Sequence, residues 1–185
     1  MVQPSYPIRT ERLTLRPVTM DDLDDVYAYQ SRRDVVRWML GAEPRTREQS
    51  RASVRAMAGE DAWRAEGDCL TVAVVGDTGV IGTVELVWRG ERDRTAELGY
   101  VFHPDHGGRG LATEAVTALV DWGFDEAGLH RVFGRCHARN EASARLMARI
   151  GMRREAHHVR SYRYDGEWAD QLVFAVLSDE WRPRG

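Results

Sequence analysis

His103-Pro104-Asp105-His106-Gly107-Gly108-Arg109-Gly110-Leu111-Ala112-Thr113 joins two patterns of different period. Upstream, Arg94–His103 reads as a strand stopped by Pro104. Downstream, Ala112, Ala115, Val116, Leu119, Val120 and Phe124 recur at helical spacing and make one apolar stripe. Three glycines in four positions let the backbone bend tightly and approach a ligand with no Cβ in the way. Such a turn presents the unpaired N–H groups of the helix's first turn, with their partial positive charge, to an anion, above all a pyrophosphate. Arg109 can add a charge-assisted contact. A strand-to-helix turn with no ligand would read the same way, so both readings stand. The G-x-G-x-x-G spacing of a dinucleotide fold is absent, and the preceding strands read as an antiparallel meander rather than a parallel array.

The rest of the chain extends this pattern in both directions. Glu11–Pro17 alternates apolar and polar residues and reads as a half-buried strand. Thr19 with Asp21 and Asp22 signals a helix start, with Leu23, Val26 and Tyr27 inside. A short helix is expected around Val35, Val36, Trp38 and Met39, broken by Gly41 and Pro44, and a polar one from Thr46 into the sixties. Leu70–Val75 is a continuous apolar run, as in a strand buried on both faces. Gly76-Asp77-Thr78-Gly79 is a hairpin turn into the alternating Gly79–Trp88. Arg131–His137 reads as a strand and Asn140 as the N-cap of a short helix ending at Gly151. Arg153–Tyr164 and Trp168–Leu177 form a hairpin about Asp165-Gly166.

Composition bounds the function. At 185 residues with 43% hydrophobic content, one α+β domain over 1–185 is expected. All 26 basic residues are arginine, which excludes a lysine Schiff base and a Walker-type loop. They are dispersed and outnumbered by 29 acids, so no nucleic-acid footprint is visible. No apolar run approaches a membrane span, and Met1–Thr10 lacks the pattern of a secretory signal. Cys69 and Cys136 stand far apart in apolar runs, and the six histidines show no ligand spacing. The expectation is a reduced, cytoplasmic protein with two buried thiols and no metal site.

Glu97-Leu98-Gly99-Tyr100-Val101-Phe102-His103-Pro104, the glycine turn, and Ala112-Thr113-Glu114-Ala115 together resemble the central motif of the GNAT N-acetyltransferases. Leu129-His130-Arg131-Val132 and Asn140-Glu141-Ala142-Ser143 fit the same family. Thr10-Glu11-Arg12-Leu13-Thr14-Leu15-Arg16-Pro17 and Gly151-Met152-Arg153 are similar to its branch of ribosomal-protein acetyltransferases, RimJ and RimL. The resemblance implies a mixed, mostly antiparallel twisted sheet of six to seven strands flanked by about four helices. It implies acetyl-coenzyme A as co-substrate, an amine acceptor that is a small molecule or a protein N-terminus, and a homodimer. The pyrophosphate would sit on the backbone of Gly108, Arg109, Gly110, Leu111, Ala112 and Thr113. Gly107 stands where the family has Gln or Arg. Tyr100, Val101 and Phe102 would pair with the pantetheine arm like an added strand.

Amine acetylation needs a group to take the amine's proton, because an alkyl ammonium has a pKa of roughly 10. Glu97 is the candidate base, acting through a water relay because a carboxylate at about 4.3 matches that proton poorly, or else an exposed strand residue or an ion-pair partner. An N–H near Val101 or Phe102 could donate to the oxyanion. The leaving thiolate needs a donor, and where many relatives have Tyr this chain has Met147. Ser143 matches the serine of the RimJ/RimL branch, and it is equally a small residue of a packed helix face. Asn140 is a cap, a coenzyme contact, or both. Trp168 and Asp170 follow the hairpin turn where relatives place residues near the acceptor; an exposed aromatic and acid there could meet a cationic amine, and simple hairpin packing accounts for them equally. The acids Glu97, Asp165, Glu167 and Asp170 favour a cationic acceptor. From the replacements at Gly107 and Met147 comes the alternative, a catalytically weak acyl-coenzyme A-binding regulatory or interaction module.

Overall fold

The computed structural model describes residues 1–39 and 43–181. Its strands are β1 (Ile8–Arg9), β2 (Thr14–Pro17), β3 (Cys69–Gly76), β4 (Gly79–Gly90), β5 (Thr95–Phe102), β6 (Arg131–His137), β7 (Arg153–Tyr164) and β8 (Glu167–Leu177). The α-helices are α1 (Leu23–Gln30), α2 (Arg33–Val36), α3 (Arg47–Met57), α4 (Leu111–Asp125) and α5 (Glu141–Arg149), with 3-10 turns at Met20–Asp22 and Pro104–His106. The strands form one sheet in the order β1-β2-β3-β4-β5-β6-β8-β7. Every neighbouring pair is antiparallel except β5 and β6.

Both faces of the sheet are covered. Leu119 and Val116 of α4 and Met147 of α5 pack with Leu70, Leu86, Leu98 and Val132 on one side. Val26 and Tyr29 of α1 and Val54 of α3 pack with Ala73 and Val80 on the other. This explains the unbroken apolar run of β3: its odd and even residues face two different cores.

The mixed, mostly antiparallel fold is as expected, with differences of detail. Among the described residues the sheet has eight strands against the six to seven expected, because two-residue β1 is too short to show a period. The strand expected from Glu11 begins only at Thr14. Thr10 folds back on Leu13 instead, its backbone N–H reaching the Leu13 carbonyl at 3.0 Å and its hydroxyl accepting from the Leu13 N–H at 3.0 Å. Among the described residues there are five α-helices rather than about four. α3 ends at Met57 instead of running into the sixties, and Trp63 forms a bridge with Val2. α2 stops at Val36, so Trp38 and Met39 lie beyond it, and Gly41 is outside the described residues. Cys136 is buried but Cys69 is only half-buried, and both are free thiols.

One feature of register positions the site. β5 and β6 pair only from Thr95 opposite Arg131 to Leu98 opposite Gly134. Beyond that point β6 continues along β8 as far as His137, while β5 continues along β4 as far as Phe102. From Gly99 onward the β6-facing edge of β5 therefore has no strand partner, and the sheet is split. Buried Met147 packs where the strands part: a Cβ on Gly134 would lie 2.8 Å from its Sδ.

Candidate active site

A cleft of about 300 Å³ occupies this split. Successive strand residues point to opposite faces, and the cleft is lined from both. Glu85, Val87 and Arg89 of β4, Glu97 and Gly99 of β5 and Arg135 of β6 come from one face; Leu98, Tyr100 and Cys136 come from the other. Trp38 and Met39 close it on the first side, and the cap residue Asn140 with Ser143 and Met147 of α5 on the second. The opening thus runs through the sheet.

On the α5 side, the Asn140 side chain caps the helix, its Oδ1 accepting from the Ser143 N–H at 3.2 Å. The Tyr100 hydroxyl donates to the Ser143 carbonyl at 3.1 Å, and its oxygen lies 2.8 Å from the Ser143 hydroxyl. Burial pushes the Tyr100 phenol and the Cys136 thiol up, so both stay protonated near neutrality. The cluster is a set of neutral donors at the edge of the split.

On the other face, Glu97 is the ion-pair partner rather than a free carboxylate. Arg89 Nε donates to Oε2 at 2.9 Å, and Arg135 Nε donates to Oε1 at 2.7 Å. Both oxygens are held by guanidinium groups, which compete with any proton-accepting role. Sequence reasoning passed over its neighbour Glu85, which pairs across the ladder with Gly99. The absence of a side chain at Gly99 makes room for it: a Cβ there would lie 2.4 Å from Glu85 Oε1. Burial, then the nearby charges of Glu60 and Glu97, raise the Glu85 carboxyl above its ordinary range. The available signal was the one acid of β4, set between Val84 and Leu86 on an interior strand. Behind Glu85, the Cys69 thiol and the Thr71 hydroxyl are 3.4 Å apart, and Thr71 donates to Glu60 at 2.5 Å.

The glycine turn reaches α4 through backbone that favours glycine, with φ of +75° at Gly108 and +78° at Gly110, the N-cap. The first-turn N–H groups of Leu111, Ala112 and Thr113 have no partner within the helix, and a Cβ on Gly108 would meet nothing within 4 Å. An open turn with unpaired donors at the start of a 15-residue helix fits a pyrophosphate. The unpaired edge Gly99–Phe102 fits an extended amide-bearing arm, as an added strand would.

The expected acceptor residues separate. Trp168 is 58% exposed, with the Arg163 guanidinium 5.4 Å from its ring centre. It lines a second cavity of about 600 Å³ beside the cleft, which shares Trp38 with it. Asp170 lines neither. It accepts from the Arg160 N–H at 2.8 Å, and its Oδ2 lies 2.7 Å from His157 Nε2, so it braces the β7–β8 hairpin. The acidic balance expected at the acceptor side also fails. Glu97 is neutralised, and the second cavity sets Arg33, Arg37 and Arg139 against Asp34, Asp165 and Glu167.

Among the described residues no helix is long and apolar enough to cross a membrane. Residues 12–153 match the model of the acetyltransferase (GNAT) domain. The chain is 32% identical over 179 residues to the uncharacterized N-acetyltransferase YnaD of Bacillus subtilis, covering 94% of this chain and 98% of that one. It is 30% identical over 86 residues to the ribosomal protein uS5-alanine N-acetyltransferase of Escherichia coli, covering 46% of this chain and 44% of that one. The crystal structure of a GNAT-family acetyltransferase from Bacillus anthracis superposes with a TM-score of 0.84 at 30% identity, covering 94% of this chain and 99% of that one. With motif, fold and split sheet in agreement, the chain belongs to the GNAT family of acetyl-coenzyme A-dependent N-acetyltransferases.

Proposed function

We propose that this enzyme acetylates a primary amine by direct attack within a ternary complex, the two substrates entering the split sheet from opposite faces. One observation carries the reading: the cleft has a half-buried carboxylate, Glu85, on one face and a hydroxyl, Ser143, on the other. Acetyl-coenzyme A, when bound, supplies the acetyl thioester. The turn residues Gly108–Thr113 hold its pyrophosphate through backbone N–H groups, and Gly99–Phe102 align its arm. Glu85 takes the ammonium proton of the acceptor, directly or through one water, and its raised pKa narrows the gap to the amine. A backbone N–H of Val101 or Phe102 donates to the carbonyl oxygen as it gains charge. Ser143 turns its hydroxyl proton from the Tyr100 oxygen toward the leaving sulfur, while Tyr100 keeps its own proton on the Ser143 carbonyl. Glu97 orients Arg89 and Arg135 at the cleft wall.

The near-balanced charges of the second cavity do not single out a polycation. A protein N-terminus and a small amine both remain acceptors to be tried. The test is release of free thiol from acetyl-coenzyme A over a panel of peptides and small amines, using wild type, Glu85→Gln and Glu97→Gln. The reading requires Glu85→Gln to be the more damaging of the two. Equal activity of wild type and Glu85→Gln on a good acceptor would overturn the role of Glu85. A chain that binds coenzyme A tightly and turns over no amine supports the binding-module alternative.

A further inference from the structure

The Thr10–Leu13 turn lies more than ninety residues before the glycine turn in the chain, yet the two are fastened together. Glu114, in the first turn of α4, accepts from the Thr10 hydroxyl at 2.6 Å, the Arg12 backbone N–H at 2.9 Å and Arg12 Nε at 2.7 Å. The same guanidinium donates through its second arm to the Arg109 carbonyl at 2.9 Å. Glu114 has a side-chain exposure of 16% and Arg12 one of 47%. Burial alone would raise the Glu114 carboxyl; the converging hydrogen bonds outweigh it and hold the group below its ordinary range.

Two consequences follow for the turn. A trans peptide is planar, with its N–H antiparallel to its C=O. Drawing the Arg109 carbonyl toward Arg12 therefore aims the Gly110 N–H the opposite way, away from the guanidinium. The second consequence is electrostatic. A carboxylate one turn into a helix opposes an anion at its N-terminus, and Arg12 cancels that charge.

We infer that Arg12, held by Thr10 and Glu114, is a positioning residue for the phosphate-binding turn: it fixes the Arg109–Gly110 peptide and neutralises Glu114 so that the turn can hold an anion. The inference rests on the reading of Gly108–Thr113 as the pyrophosphate site. It explains why an exposed arginine before the second strand is tied to the first turn of α4 rather than left in solvent.

The test is calorimetric titration of coenzyme A into wild type, Arg12→Met, Glu114→Gln and the double variant, with circular dichroism to establish folding. Losing a charge-assisted hydrogen bond and exposing Glu114 should raise the Kd of Arg12→Met about tenfold. Glu114→Gln should weaken binding less, because Arg12 keeps its bond to the Arg109 carbonyl. The double variant should bind better than Arg12→Met, since the opposing carboxylate is gone. A merely structural bond would give the opposite order, with the double variant worst. Turnover supplies a second readout: the KM for acetyl-coenzyme A should rise in Arg12→Met while the KM for acetyl-pantetheine, which lacks the pyrophosphate, stays put. Equal increases for both donors, or a Kd for Arg12→Met within twofold of wild type, overturn the inference while the phosphate site stands. Failure of folded wild type to bind coenzyme A overturns the reading of the turn itself. If Arg12→Met does not fold, Arg12→Lys keeps the cation but cannot span both partners, and its Kd must lie measurably above wild type.

Discussion

Two carboxylates two residues apart in register, Glu85 and Glu97, have opposite chemical fates because of their neighbours. Glu97 meets two guanidinium groups, whereas Glu85 meets burial and two other acids. Glu85→Gln should lower kcat by about 100-fold or more, the size expected for a general base, with the KM for acetyl-coenzyme A little changed. The pH profile carries the sign. A protonated Glu85 cannot accept a proton, so the acid limb of kcat/KM should fall above the ordinary glutamate value of about 4.3. Removing a nearby negative charge in Glu60→Gln should move that limb to lower pH, and a limb that stays fixed would count against Glu85 as its source. At Asp22 the shift is opposite. Burial would raise that carboxyl, but hydrogen bonds from Arg16 at 2.7 and 2.8 Å and from the Thr19 N–H at 2.8 Å win and lower it. Its stabilising contribution is present above the unfolded value of about 3.9 and is lost as pH falls through the lower folded value. Asp22→Asn should cost about 2–3 kcal/mol in denaturant unfolding at pH 7, since it strands the partly buried Arg16 cation.

At the scale of elements, the turn into α4 and the start of α5 do different work with similar means. α5 caps itself with Asn140, leaving Ser143 beside Tyr100. α4 has glycine at its N-cap and no side-chain capping bond, so its first N–H groups stay available. Gly108→Ala separates backbone strain from steric clash, because a Cβ there would touch nothing within 4 Å while φ remains +75°. Forcing that left-handed backbone on alanine costs about 1–2 kcal/mol. The expected outcome is a lower Tm together with a higher KM for acetyl-coenzyme A, read by thermal unfolding and steady-state kinetics. A lowered Tm with unchanged KM would mean that the turn does not hold the donor.

For the molecule as a whole, the split between β5 and β6 is the decisive feature, because it opens the middle of an otherwise continuous sheet between two cores. On the proposed placement a donor seated there would bridge β5, α4 and α5, and it should stabilise all of them together. At about 100 times its dissociation constant, acetyl-coenzyme A should add about 2.7 kcal/mol. For a chain of this length that corresponds to a rise in Tm of about 5–10 °C. The check is a thermal scan with and without ligand, and a missing shift would leave the family fold without its donor site.

Local pattern alone determined most of the elements, since apolar period, caps and turns are written in neighbouring residues. β6 and the Asn140 cap fall where the sequence put them, and β7 does as well. The glycine turn was legible for the same reason: its chemistry lies in the backbone of consecutive residues. What the sequence could not reveal depends on pairs far apart in the chain. The clamp on Glu97 comes from Arg89 and Arg135, the room for Glu85 comes from Gly99, and the tie between Arg12 and Glu114 spans 102 positions. Asp170 looked like an acceptor residue from its place after a turn, yet its partners are His157 and Arg160 on the neighbouring strand. An ionisable side chain takes its role from the charges and donors around it, and in this fold those arrive from other strands and helices.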